Sequence, residues 1–406
     1  MSARSVSMRR YGLVVAGSLC YTCLTFAWFS LPAYLSTIIA DAGLTGTQAG
    51  LLAGAVPFTY IPIALFSGLA VDRIGPTRSL AIGLGVVGLS QIARSVAAGF
   101  PGLLAATLAL GVGATAITFG LPKLVSVLFP PAETGLPSSL YMVGAAVGTA
   151  GAFGVGRPVI GPALGGWRPL FLYSGLAAVG YAVVWLAIVR LVPLAGSRRE
   201  PTADADAERG STSVAGDLRR VFAHRDLRLM VVLGVVYLAL VHGMQGWLPT
   251  VLESRGLSAD RAGQTTTLLV GAKVLGVLSI PVLADRVDAR RAALVGCGAL
   301  GAVGVGGVIA GGATAIAALG IVMAGLGVGG LSPLIRAIPP DLEGIGPELT
   351  GVAIGLVFAV GEIGGFLGPV LVGTLYDLTG SYVPGLGALA GAGVVGVVAG
   401  AALRDV

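Results

Sequence analysis

Seven ionisable side chains stand inside long apolar runs, where charge is costly to bury. Arg94, Lys123, Arg157, Lys273 and Arg336 are cations, Glu362 is an acid, and His242 titrates near neutral pH. Five cations against one carboxylate leave positive charge uncompensated, and in a low-dielectric surrounding such charge attracts an anion. Lys273, about ten residues into its run, is the first choice to hold that anion, helped by Lys123 and Arg157. Tyr21 and Tyr141 are candidate wall groups beside it. Each has a plainer alternative. Lys273 pairs with Glu362; Lys123 reaches back to headgroups through its long stem; Arg157 serves as a gate; the tyrosines simply pack. Arg94 is expected to snorkel to the outer surface, and Arg336 sits close to the inner end of its run. Glu362 is a lone carboxylate in mid-run, suited to loading and releasing a proton. His242, with Gln245 on the same helical face, is a second proton site or else a packed, satisfied histidine.

The elements that must position these groups follow from composition. The chain has 406 residues, 55% hydrophobic and 11% charged, where soluble domains carry about 25% charged residues. A soluble enzyme, a nucleic-acid binder and a disordered chain are excluded. Apolar runs occupy 11–39, 48–70, 79–99, 102–129, 138–163, 169–193, 229–252, 263–284, 291–311, 313–337, 349–372 and 382–402. Each is long enough to cross about 30 Å of hydrocarbon as a helix. They are continuous rather than alternating, which argues against a β-barrel. The fold class is all-α integral membrane with twelve transmembrane helices. The first run is too long for a signal peptide and is read as a retained helix. Cys20, Cys23 and Cys297 lie in apolar stretches and read as packing residues.

Basic residues set the orientation. Of 25 Lys and Arg, five lie in the runs; 17 of the rest fall on the side that holds the N-terminus and three on the other. Both termini are therefore expected in the cytoplasm, in an inner-membrane location. Only Lys123 and Lys273 are lysines, and both are inside runs. The one long polar stretch, 194–228, reads as a cytoplasmic linker between residues 1–193 and 229–406. Its end, 217–230, has the pattern of an amphipathic surface helix, with His224 solvated.

The two six-run halves repeat each other. GLTGTQAG (43–50) matches GLSADRAG (256–263), and GLAVDRIGPTR (68–78) matches PVLADRVDARR (281–291); both pairs are offset by 213 residues. The Gly68–Gly75 turn, with Asp72 and Arg73, resembles the signature loop between helices two and three of the major facilitator superfamily. Asp285 and Arg286 form its second copy. That resemblance implies a twelve-helix transporter whose halves rock about a midplane site, with this loop as a conformational latch and spans 1, 2, 4, 5, 7, 8, 10 and 11 lining the cavity. Asp72 is expected to meet the positive end of a helix, and Gly75 to permit a tight turn. FGLPKLVSVLFPPAETG (119–135), Arg94 and GWLPTVLESRGLS (246–258) resemble the cyanate and nitroimidazole branch. The chain departs from two superfamily patterns: Thr107 stands where span four often has an arginine, and Arg157 stands where an antiporter pattern begins with glycine.

The expected function is secondary transport of a small, anionic solute by alternating access, with proton symport or anion exchange. One alternative is a proton-coupled exporter of amphipathic drugs or metabolites, which would favour acids over bases in the cavity. Another is a receptor or enzyme on the same fold, but no HExxH or GxSxG sequence supports it. No enzyme activity and no cofactor are expected. The partners are a small-molecule substrate, protons and membrane lipids, with no nucleic acid, and the unit is a monomer.

Overall fold

The computed structural model describes residues 3–191, 222–342, 345 and 347–404. Twelve helices dominate them: α1 (Ala3–Ala33), α2 (Gly46–Ile74), α3 (Pro76–Val96), α4 (Gly99–Leu128), α5 (from Gly135), α6 (Trp167–Leu191), α7 (Arg225–Ser254), α8 (Ala259–Arg286), α9 (Arg290–Gly311), α10 (Ala315–Ala337), α11 (Pro347–Thr379) and α12 (Val383–Ala402). Eleven are long and apolar enough to cross a membrane. The twelfth, α2, is bent by 66° between Gly46–Ala64 and Phe66–Ile74. Pro62 precedes that bend; its ring displaces the carbonyl four residues back and removes a helical hydrogen bond. Residues 192–221, which hold most of the expected linker and the start of the expected surface helix, lie outside the described residues. The rest of that expected surface helix differs from the reading, because from Arg225 onward the chain is already α7.

Local signals explain the ends. Thr45 and Gln48 form a reciprocal capping box at the start of α2. Gly75 ends α2 with φ 84°, a backbone that favours glycine, and Pro76 then opens α3 where a missing N–H costs nothing. Span five is irregular. Its α-helix Gly135–Gly151 passes into a π-helical stretch, Ala152–Ile160, that contains Pro158, and resumes at Gly161–Leu164. Such wider turns re-aim side chains, and Arg157 lies in this one.

The helices pair in a pattern that repeats between halves. In the first half α1 packs on α5, α2 on α4, and α3 on both α4 and α6; in the second, α7 packs on α11, α8 on α10, and α9 on both α10 and α12. Contact between the halves runs through α2 against α11 and α5 against α8, which is also a symmetric exchange. Small residues permit it. A Cβ added at Gly50 would lie 2.6 Å from the Pro369 carbonyl oxygen, and one at Gly54 would lie 2.8 Å from that of Phe366.

These inter-half contacts gather at one end of the bundle, the end that carries the Gly43 turn. There a single apolar core joins both halves, including Phe29, Leu52 and Phe153 with Val241, Trp247 and Leu269. Towards the opposite end, which carries the Gly75 turn, the core divides. Leu13, Leu124 and Trp185 belong to a cluster of the first half, and Met230, Leu294 and Ile338 to one of the second. The bundle is closed at the Gly43 end and split at the Gly75 end.

Candidate anion cleft and proton site

The closed end is tied by two sets of polar contacts between halves. Asp377, near the end of α11, accepts hydrogen bonds from the backbone N–H groups of Gly46 (2.6 Å) and Thr47 (2.7 Å) and from the Thr47 hydroxyl (2.7 Å). A carboxylate at a helix N-terminus meets unpaired N–H groups and the positive end of the helix dipole. Across the bundle, Arg157 Nη2 donates to Glu253 Oε1 at 3.2 Å, and the Ser36 hydroxyl donates to Glu253 Oε2 at 2.5 Å. The Arg157 guanidinium also lies 4.3 Å from the centre of the Tyr34 ring.

The five intramembrane cations therefore meet different fates. Arg157, expected beside a substrate or in a gate, has its charge matched by Glu253. Lys123, expected to help hold the anion, stands at the split end with its ammonium 2.7 Å from Asp72, and both side chains are about half exposed. That contact also revises the expectation for Asp72, which meets a lysine rather than a helix terminus. The second copy behaves likewise, since Arg290 Nε donates to Asp285 at 2.7 Å. Arg73 and Arg286 are exposed beside them, and Gly68 is half-buried on α2.

Arg94 corrects the sequence expectation. It does not snorkel outward: it is fully buried. It donates to Thr107 Oγ1 (3.0 Å), to the Ala27 carbonyl (3.0 Å) and to Gln91 Oε1 (3.1 Å). Gln91 in turn donates to Ser30 and Ser174. The guanidinium from α3 thus occupies the neighbourhood of Thr107 on α4, held by groups of its own half.

Two cations are left. Lys273 on α8 is partly buried, and among the described residues no carboxylate lies within 4.0 Å of it. It lines a small cavity of about 10 Å³ with Gln245, whose amide atoms are both buried without a partner among the described residues. Such a space has room for about one water molecule. Lys273 is also within electrostatic range of His242. Arg336 on α10 was placed by sequence only near an end of its run. It is exposed although it sits within a span. It lies 4.0 Å over the Phe358 ring, donates to the Ser332 carbonyl and hydroxyl, and has no carboxylate within 4.0 Å among the described residues. Tyr21 and Tyr141 of the opposite half are within electrostatic range of it, and their rings lie 6.2 Å apart in a stack. Arg336 is the cation that the sequence left least defined. Its one signal was an arginine inside an apolar run.

Glu362 and His242 approach the same point beside Gly365. A Cβ added at Gly365 would lie 2.9 Å from Glu362 Oε2 and 3.0 Å from His242 Cδ2, with Pro57 of α2 beside them. Glu362 Oε2 is buried without a hydrogen-bond partner among the described residues. His242 stacks on Trp28 of α1 at 5.4 Å and 9°. Trp28 lies 6.3 Å from Tyr60, whose hydroxyl is 2.7 Å from Thr118 Oγ1. Ring contacts join His242, Trp28 and Tyr60 in series, with Lys273 within electrostatic range at the His242 end and Tyr21 and Arg336 within electrostatic range at the Tyr60 end.

The model of the Major Facilitator Superfamily matches residues 17–369. The chain belongs to that superfamily. Among its relatives, a 3-(3-hydroxy-phenyl)propionate transporter of Escherichia coli K12 is 28% identical over 99% of this chain and 94% of its own length. A quinolone resistance transporter of Acinetobacter baumannii is 25% identical over 86% of this chain and 82% of its own. The fold of this superfamily member is also that of a solved bacterial homolog of the human lysosomal transporter Spinster, with TM-score 0.79 at 18% identity over 97% of this chain and 96% of that one.

Proposed function

We propose that the chain is a secondary transporter of small organic anions, with the positive-inside side as its cytoplasmic side. The observation that carries this is the sorting of charge: three of the five intramembrane cations are matched or enclosed, while Lys273 and Arg336 have no carboxylate within 4.0 Å among the described residues. An anion supplies what they lack. The Gly75 end, rich in arginine, is the cytoplasmic end, so the arrangement is open inward and closed outward. Alternating access requires the Asp377 and Arg157–Glu253 ties to break while the Gly75 end closes. Glu362 with His242 is the proton site: a carboxylate without a hydrogen-bond donor is stabilised by taking up a proton, and its neighbour His242 touches Trp28 of the moving partner half. The relative named for a phenylpropionate, an organic anion, supports the reading.

The test is uptake by purified protein in liposomes with a panel of labelled organic anions and an imposed pH gradient. Accumulation of at least one anion above its passive level supports the proposal; none sinks it. The relative named for quinolone resistance favours a second reading, proton-coupled export of amphipathic compounds. That reading predicts that loss of Glu362, and not of Arg336, abolishes substrate binding.

A further inference from the structure

We infer that the anion is an aromatic carboxylate, its carboxylate on Arg336 and its ring against Tyr21, Tyr141 and Trp28. This rests on the anion reading above and adds the class of solute. The residues around Arg336 point to that class. Arg336 Cζ lies 4.0 Å over the Phe358 ring and Nη1 donates to Ser332; the remaining N–H groups of the guanidinium edge are the ones to grip a carboxylate. The opposite half offers the stacked rings of Tyr21 and Tyr141, 6.2 Å apart and within electrostatic range of Arg336, followed by Tyr60 and Trp28, 6.3 Å apart. A hydrophilic dicarboxylate or an inorganic anion would be desolvated against these rings without recompense. A flat apolar ring fits them, because aromatic pairs favour offset and edge-to-face contact. The polar points beside these rings are hydroxyls, among them the Tyr60–Thr118 pair, 2.7 Å apart, and those of Tyr21 and Tyr141.

The chain carries its own reporter. It has four tryptophans. Trp167, Trp185 and Trp247 are buried at 3%, 0% and 0% exposure, and only Trp28 is partly exposed. Tryptophan fluorescence of the purified full-length protein is titrated with benzoate, 3-phenylpropionate and indole-3-acetate. Each acid is paired with its ring-saturated acid and with its neutral amide, and ligand competition for liposome uptake serves as a second readout. The expected result is that at least one aromatic acid binds tenfold or more tighter than both of its counterparts. Trp28→Phe should remove the fluorescence change, and Arg336→Gln should erase the preference for acid over amide. Equal binding of saturated and aromatic acids overturns the aromatic inference and leaves the anion reading standing. Equal binding of acids and amides overturns the anion reading. Binding of none in either readout overturns both.

Discussion

Arg157 on α5 and Glu253 on α7 bridge the two halves at 3.2 Å, with side chains only 9% and 17% exposed. Opening the Gly43 end must break this pair, and a largely buried charge left without its partner is costly. Replacing either residue should therefore weaken the closed state. In a background without Cys20, Cys23 and Cys297, a cysteine replacing Thr267, which packs against Gly154 in the closed interface, reports opening. Glu253→Gln should speed its labelling by a membrane-impermeant maleimide about tenfold, equivalent to about 1.4 kcal/mol. The charge reversal Arg157→Glu with Glu253→Arg should restore part of the protection. Unchanged labelling would show that the pair is not a gate.

Gly50 tests the same end by shape rather than charge. A side chain there meets the Pro369 carbonyl at 2.6 Å and the Val370 Cα at 2.9 Å, and backbone cannot swing aside as a side chain can. Gly50→Leu should abolish uptake while leaving size-exclusion behaviour and helical circular dichroism unchanged. Gly85→Leu, at a position with nothing within 4 Å, is the matched control and should transport normally. Activity in Gly50→Leu would mean that α2 and α11 need not close.

Lys123 should prove dispensable for binding. Its pair with Asp72 is 44% and 59% exposed, and such surface pairs contribute about 1 kcal/mol or less. Lys123→Gln is expected to keep KM for the transported anion within about twofold. A tenfold rise in KM would put its ammonium on the substrate.

Much of the fold was legible because it rests on composition and repetition. Twelve apolar runs gave the twelve spans, and Gly75 marked a turn that the structure closes with a positive φ. The direction a side chain faces around its helix was not legible. Arg94 illustrates this. Its position near a span end suggested snorkelling, yet packing of α3 against α4 and α6 turns it inward to Thr107 and Gln91. Lys123 and Asp72 are 51 positions apart, so no helical spacing announces their contact. The π-helical stretch that contains Arg157 has no periodic signature in the sequence. Arg336 was visible as a charge, but only the fold brings Tyr21 and Tyr141 near it.

Glu362 carries the coupling expectation. Its Oε2 is buried without a hydrogen-bond partner among the described residues, and it shares the space at Gly365 with His242. Glu362→Gln removes the exchangeable proton and keeps the shape. It should abolish accumulation driven by a pH gradient while leaving exchange of labelled for unlabelled anion within about threefold of wild type. Accumulation at the wild-type level would remove Glu362 from the coupling path.

The central claim is that Lys273 and Arg336 face an anionic solute, and transport kinetics of two variants test it most directly. Uptake of the best-transported organic anion is measured in liposomes for wild type, Lys273→Gln and Arg336→Gln, each confirmed as folded by size-exclusion chromatography. A charged hydrogen bond contributes about 1.5–3 kcal/mol, so at least a tenfold loss in kcat/KM is predicted for each variant. Wild-type kcat/KM in both would contradict the account.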